Sequence, residues 1–391
     1  MPARLSSSTR DPRVDLLRGL SLLSIFVDHI PKNRLADFTF HSFAFSDAAE
    51  IFVILAGFSA TFAYGRVFER DGLRVGFAKV LLRCLQIYGV QVLLLLSTLW
   101  FVAEWDRLRG MQSIIVGPML RDGWHGTMRG MMLAALPSYL DILPLYILLL
   151  ATFPLIRFGM MRSIPATIAG SVLLYGLANV LHWNLPNIVD PTDAAHWYFD
   201  PFTWQLIFVL GCWLAIVARN RHPVIANPPP LLVAACWAYL VFAFVALDAW
   251  KLWPAPFGSD FPGMVPPFAI FGNEPKTFVT PWRLINVLAI TYLALTSSGL
   301  GTVARSRLLG PVVACGRNSL HVFALGCILA LFGRMIYKSY EVTAATEILV
   351  NVTGLTAMLV LGVVLDRMKA DRPVRRYDGV RFDAGKVVDR A

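Results

Sequence analysis

Arg18 and His29 are the residues of this chain best placed by type and spacing to do chemistry. They bracket the apolar run GLSLLSIFV, with Asp28 just before the histidine and Asp15 below the arginine. Eleven helical residues turn about 1100°, roughly 20° beyond three full turns, and rise roughly 16 Å, so both side chains share one face. A polar stripe reaching from a membrane surface into hydrocarbon is costly and points to function. Near neutral pH an imidazole can take a proton from a hydroxyl, and a neighbouring carboxylate can fix its tautomer and raise its basicity. A guanidinium at the opposite end can bind an anion, or simply snorkel into headgroups. Taken singly, Arg18 reads as a boundary arginine and His29 as a polar helix end; on one face, with acidic neighbours, they read as a site. Asp28 points about 100° away from His29, toward another helix or loop.

A second acidic pair opens the next apolar run. Asp47 and Glu50, in SDAAEIFVILAGFSATFAYG, lie at i and i+3 on one face and on the same side as His29. Ser46 or Asp47 as an N-cap explains Asp47 well; Glu50 fits the first turn of a helix but already leads the apolar run. Gly57 and Ser59 suit close helix contact. Farther on, YLDILPLY (139–146) puts Asp141 and Pro144 inside a span, where the proline would free the carbonyl of Leu140 and kink the helix. Trp204-Gln205 opens another span, and Arg317-Asn318-Ser319 with His321 lies in a later one. Arg317 has two equal readings, snorkelling or anion binding.

These residues need a membrane scaffold. Of 391 residues 57% are hydrophobic and 15% charged, against about a quarter charged in soluble domains. The chain reads as an all-α, polytopic integral membrane protein with about ten transmembrane helices. Runs able to cross about 30 Å of hydrocarbon lie near 14–30, 45–65, 78–102, 132–156, 163–182, 202–218, 231–250, 282–299, 311–333 and 345–365. Residues 1–13 form a cytoplasmic segment, 14–365 the membrane domain and 366–391 a polar, flexible cytoplasmic tail. The net charge of +10 falls between apolar runs, as topology requires, which argues against nucleic-acid binding. Lys and Arg divide 23 to 10 in favour of the side carrying both termini, with Arg283 and Arg317 inside spans. Both termini are therefore expected in the cytoplasm, and Asp28, His29, Asp47 and Glu50 at the outer side. The outer loops are long, near 103–131, 183–201 and 251–281, and the last, rich in Pro and aromatics, reads equally as a lid and as an interface anchor. Five cysteines without a CxxC spacing indicate neither a disulfide framework nor a metal site.

In order along residues 11–365, DPRVDLLRGLSLLSIFVDHIP, SDAAEIFVILAGFSATFAYG, YLDILPLY, DPFTWQLIFVLGCWL and GRNSLHVFALG together resemble the OpgC family, an outlying branch of the membrane acyltransferase 3 superfamily. The first two blocks are the specific ones, and the Arg-x10-His pair is the superfamily's shared mark. The resemblance implies that His29 is the catalytic base and that Arg18 helps to hold the phosphorylated part of an acyl donor. It implies acyl transfer to hydroxyls of a periplasmic glucan or related glycan in a bacterial inner membrane, with acyl-CoA, succinyl-CoA being suggested, as co-substrate and no bound cofactor. His321 departs from the family pattern. Asp28 or Glu50 would orient the imidazole, and Asp47, Asp141, Trp204, Gln205 and Arg317 are further candidates for binding donor or acceptor. No serine or cysteine is evidently paired with His29, so a covalent acyl-enzyme is not indicated. A competing reading is a proton-coupled transporter or flippase using Asp28, His29, Glu50 and Asp141, against which the lack of an internal repeat counts. A non-catalytic subunit of glycan export is a third.

Overall fold

The computed structural model describes residues 11–109, 116–193, 195–252 and 276–371. Helix α1 (Pro12–Asp28) starts where Asp11 accepts a hydrogen bond from the Arg13 amide at 3.0 Å and Pro12 takes the first helical position. It ends at His29, just before Pro31. Helix α2 (Ala48–Arg70) opens on a complete capping box: Asp47 accepts from the Ala49 amide, and Glu50 reaches back to the Asp47 amide at 3.0 Å. There follow α3 (Gly72–Arg109), α4 (Ile142–Arg162), α5 (Ile164–Leu181), α6 (Pro201–Arg219), α7 (Pro230–Leu252), α8 (Pro281–Thr296), α9 (Gly310–Arg317), α10 (Ser319–Ser339) and α11 (Ala344–Ala370). The fold is all-α; among the described residues the only strands are Pro186–Asn187 and Ala195–His196, paired antiparallel in the loop between α5 and α6.

Among the described residues seven helices are long and apolar enough to cross a membrane: α2, α3, α4, α5, α6, α10 and α11. The other three expected spans fall on α1 (17 residues), α7 and α8 (16 residues). Two expectations change. The run at 132–156 becomes helical only at Ile142, so Asp141 precedes α4 and Pro144 sits in its first turn, where a missing N–H costs nothing. The carbonyl of Leu140 is instead taken up by the Gln91 side chain at 2.9 Å, so the expected kink is absent. The run at 311–333 breaks at Asn318 into α9 and α10. Helix α11 continues to Ala370, past the expected start of the tail. Residues 253–275 of the outer loop, 372–391 of the tail and 1–10 lie outside the described residues.

Glycines set the spacing around α1 and α2. A Cβ on Gly57 would lie 2.1 Å from the Phe208 carbonyl oxygen, and one on Gly211 2.0 Å from that of Ile54, so α2 and α6 touch backbone to backbone. Gly19 and Gly316 do the same for α1 and α9, against Val312 and Asp15. At the periphery Leu173, Val180 and Leu349 stay exposed, the arrangement expected of lipid-facing helices. The centre therefore belongs to α1 and α2, the helices that carry the polar residues.

Candidate functional site

Toward its N-terminal end, α1 opens into a cavity of about 380 Å³. Arg18 is only 6% exposed, buried against α2 rather than reaching outward, and donates from Nη2 to the Leu55 carbonyl at 2.7 Å and the Ser59 hydroxyl at 2.5 Å. Ser59, expected to serve helix packing, thus positions the guanidinium. Arg83 from α3, Arg317 from α9 and Lys369 from α11 bring three further cations to the same wall. Arg317 stands there because the helix break at Asn318 places it beside Asp15 at 3.5 Å and Asp366 at 3.0 Å. Lys369 donates to the Asn318 side chain at 2.6 Å. His321, one turn beyond the break, lines the cavity too. Such a cluster suits a polyanion such as a phosphorylated ligand.

At the other end of α1 lies a second cavity, about 340 Å³, lined by Asp28, His29, Asp47, Tyr139, Asp141 and Lys276 among others. His29 packs edge-on against the Tyr139 ring at 4.8 Å. Tyr139 has φ of 74°, a strained conformation for an aromatic residue, and this turns its ring onto the histidine. Arg334 of α10 lies over the other part of that arrangement, its guanidinium 4.1 Å from the Tyr139 centroid, and donates to the His29 carbonyl at 3.1 Å. The imidazole is held by ring packing and by its own backbone.

The carboxylates expected to orient it are engaged elsewhere. Asp28 accepts from Thr39 Oγ1 at 2.6 Å and faces His41 Nδ1 at 3.3 Å. Glu50 is fully buried, completes the capping box and pairs with Arg283. Among the described residues neither hydrogen-bonds to the His29 ring, because the 100° offset of Asp28 and the inward turn of Glu50 point both away from it. Glu50 does not line the cavity; Asp47 does, paired with Lys276. Burial, reinforced by the Arg283 charge and opposed by Asp28, lowers the Lys276 ammonium from its usual 10.5 to about 8. Asp141, just before α4, is buried without a side-chain partner at its helix end, and desolvation pushes its carboxyl up to about 7 against the pull of the Asp141 and Ile142 amides.

Trp204 and Gln205 line neither cavity. Trp204 is fully buried and donates from Nε1 to the Lys276 and Thr277 carbonyls, both at 3.2 Å, so it carries the segment that brings Lys276 in. Gln205 bonds to Ser171 of α5 at 2.6 Å, a contact between helices. Lys276, the Tyr139–Arg334 pair and Tyr198, which also lines the His29 chamber, are not among the candidates read from the sequence. Lys276 and Arg334 counted only as loop charges, although Arg283, left inside a span, already signalled a buried carboxylate partner. Phe52 and Tyr146, which meet at 6.0 Å, line the cationic chamber, and Phe52 also meets Phe323 at 6.1 Å; the two chambers share no lining residue, so the stripe from Arg18 to His29 opens as two chambers.

A cationic chamber and a histidine–carboxylate chamber back to back on one helix pair define a polytopic helical membrane protein with a site divided along the bundle axis. The chain belongs to the OpgC family: the family model described as OpgC protein matches residues 10–370. Membership in it implies an acyltransferase-like, glucan-modifying enzyme. Comparison with curated proteins and with solved structures gives no match.

Proposed function

We propose that this protein is an inner-membrane O-acyltransferase that moves an acyl group, succinyl in the favoured case, from cytoplasmic acyl-CoA to hydroxyls of a periplasmic glucan or related glycan. One observation carries the reading: a single helix sends Arg18 into a four-cation chamber and His29 into a chamber of carboxylates and one lysine. With both termini cytoplasmic, the first chamber faces the compartment that holds the anionic donor, and the second faces the acceptor. The phosphates of CoA rest against Arg18, Arg83, Arg317 and Lys369, and the acyl-bearing arm extends past Phe52 toward His29. His29 takes the proton of a sugar hydroxyl as its oxygen attacks the thioester carbonyl. The tetrahedral oxyanion forms beside the Lys276 ammonium. As the carbon–sulfur bond breaks, His29 returns the proton to the departing CoA sulfur, giving an ester and free CoA.

Purified protein in liposomes, supplied with labelled succinyl-CoA and a glucan acceptor, tests this. Transfer of label to the glucan is expected, with His29→Ala losing about 10²–10⁴-fold in rate, the usual contribution of a general base. Unchanged transfer by His29→Ala refutes the assignment. Proton-coupled glucan flux without acylation would establish the transport reading, in which Asp141 rather than the ion-paired Glu50 would be the carboxylate that exchanges protons.

A further inference from the structure

A third cavity adjoins the His29 chamber. It measures about 540 Å³ and shares Ser138, Asp141 and Tyr198 with it. Its far walls are the C-terminal end of α5, the strand pair that follows it and the segment just before α8, which supply His182, His196, Trp197 and Phe278. The walls are fastened independently of any ligand. Asn187 donates to the Leu136 carbonyl at 2.9 Å and accepts from its amide at 2.8 Å. The Asn184 side chain donates to the Trp197 carbonyl at 2.8 Å, and the Ile188 amide donates to the Ala134 carbonyl at 2.8 Å. His182 packs edge-on to Phe278 at 5.6 Å. A loop tied down at so many points is a preformed site rather than a linker.

The lining chemistry selects the ligand. Among the described residues that line this chamber none is Lys or Arg, in contrast to the cationic chamber at the other end of α1. A polyanion therefore finds here none of the guanidinium and ammonium groups that line the other chamber. What the walls offer is aromatic faces, exposed at Tyr198 (48%), beside imidazoles, hydroxyls and one carboxyl. Sugar rings present that same combination in reverse, apolar C–H faces for aromatic rings and hydroxyls for polar side chains. Its volume lies within the range of about 300–1,000 Å³ usual for ligand sites.

We infer that this chamber is the acceptor subsite, holding neutral sugar rings of a glucan so that one hydroxyl passes between Asp141 and Tyr198 into the His29 chamber. The inference rests on the acyl-transfer reading for the direction of approach, but not for binding itself. Asp141 and Tyr198 stand at the doorway, where a carboxyl and a phenol can orient the entering hydroxyl. A lining without Lys or Arg also explains how one protein keeps an anionic donor and an uncharged acceptor in separate rooms.

The test uses the full-length protein in detergent with a panel of linear glucose oligosaccharides of each linkage, read by intrinsic tryptophan fluorescence. His29→Ala protein, silent in transfer, is expected to bind at least one oligosaccharide. Adding Tyr198→Ala or His196→Ala, both exposed side chains that leave the core intact, is expected to weaken that binding at least tenfold. In the liposome assay the same two substitutions in the otherwise native chain should raise KM for glucan at least tenfold with KM for succinyl-CoA unchanged. Absence of binding by every oligosaccharide, or binding and acceptor KM unaffected by both substitutions, overturns the inference. If oligosaccharides bind and both substitutions weaken them, but no acyl transfer occurs, the acyl-transfer reading fails and the sugar site stands.

Discussion

Glu50→Gln separates a scaffold role from a chemical one. Glu50 is fully buried and its partner Arg283 has a side chain 12% exposed, so the pair is shielded from water. Removing one member of such a pair strands the other charge and costs about 3–5 kcal/mol. Glutamine still accepts from the Asp47 amide, preserving the cap worth about 1 kcal/mol, so a loss near 3 kcal/mol is expected for Glu50→Gln. With unfolding entropies of about 2.1 cal/mol/K per residue over the helical domain, Tm should drop by roughly 4 °C. Removing both charges, in Glu50→Gln with Arg283→Gln, should recover at least half of that, because no lone charge remains. The assay pairs thermal unfolding in detergent with acyl-transfer rates measured well below Tm, where Glu50→Gln should stay within about threefold of the native rate. A rate loss of about 100-fold or more, the mark of a lost general base or acid, at unchanged Tm would refute the reasoning and return Glu50 to the catalytic group.

Lys276 should govern an alkaline limb. It is a cation below about pH 8 and neutral above it, so transfer falls as pH rises through 8, and Lys276→Arg moves that limb upward by at least one unit. The stability sign is opposite: its folded-state value lies below the usual 10.5, the unfolded chain holds more protons between about 8 and 10.5, and stability gains across that window relative to Lys276→Met. Arg18→Gln should raise KM for acyl-CoA about tenfold or more while KM for glucan holds, as expected for one lost charge-assisted contact of about 1.5–3 kcal/mol. An equal rise in both would contradict the division into two chambers. Gly57→Ala and Gly211→Ala each press a methyl onto a backbone carbonyl that cannot swing aside, and should each cost about 1–3 kcal/mol, measured by unfolding.

The amino-acid sequence by itself determined the class, an all-α membrane protein, and the placing of Arg18 and His29 toward opposite ends of one helix, because these depend on composition and on the length of one apolar run. It also contained the capping box at Asp47, since caps are local. It did not reveal that 132–141 is irregular: Pro144 suits a first turn as readily as a kink, and only the Gln91 bond to the Leu140 carbonyl shows which. Nor could it assign the carboxylates, since Glu50 meets Arg283 and Asp47 meets Lys276 across more than two hundred residues of chain. Which charge is a scaffold and which faces a cavity depends on how helices rotate against their neighbours. Here that rotation is set by backbone contacts at Gly19, Gly57, Gly211 and Gly316, and the tertiary structure alone decides it.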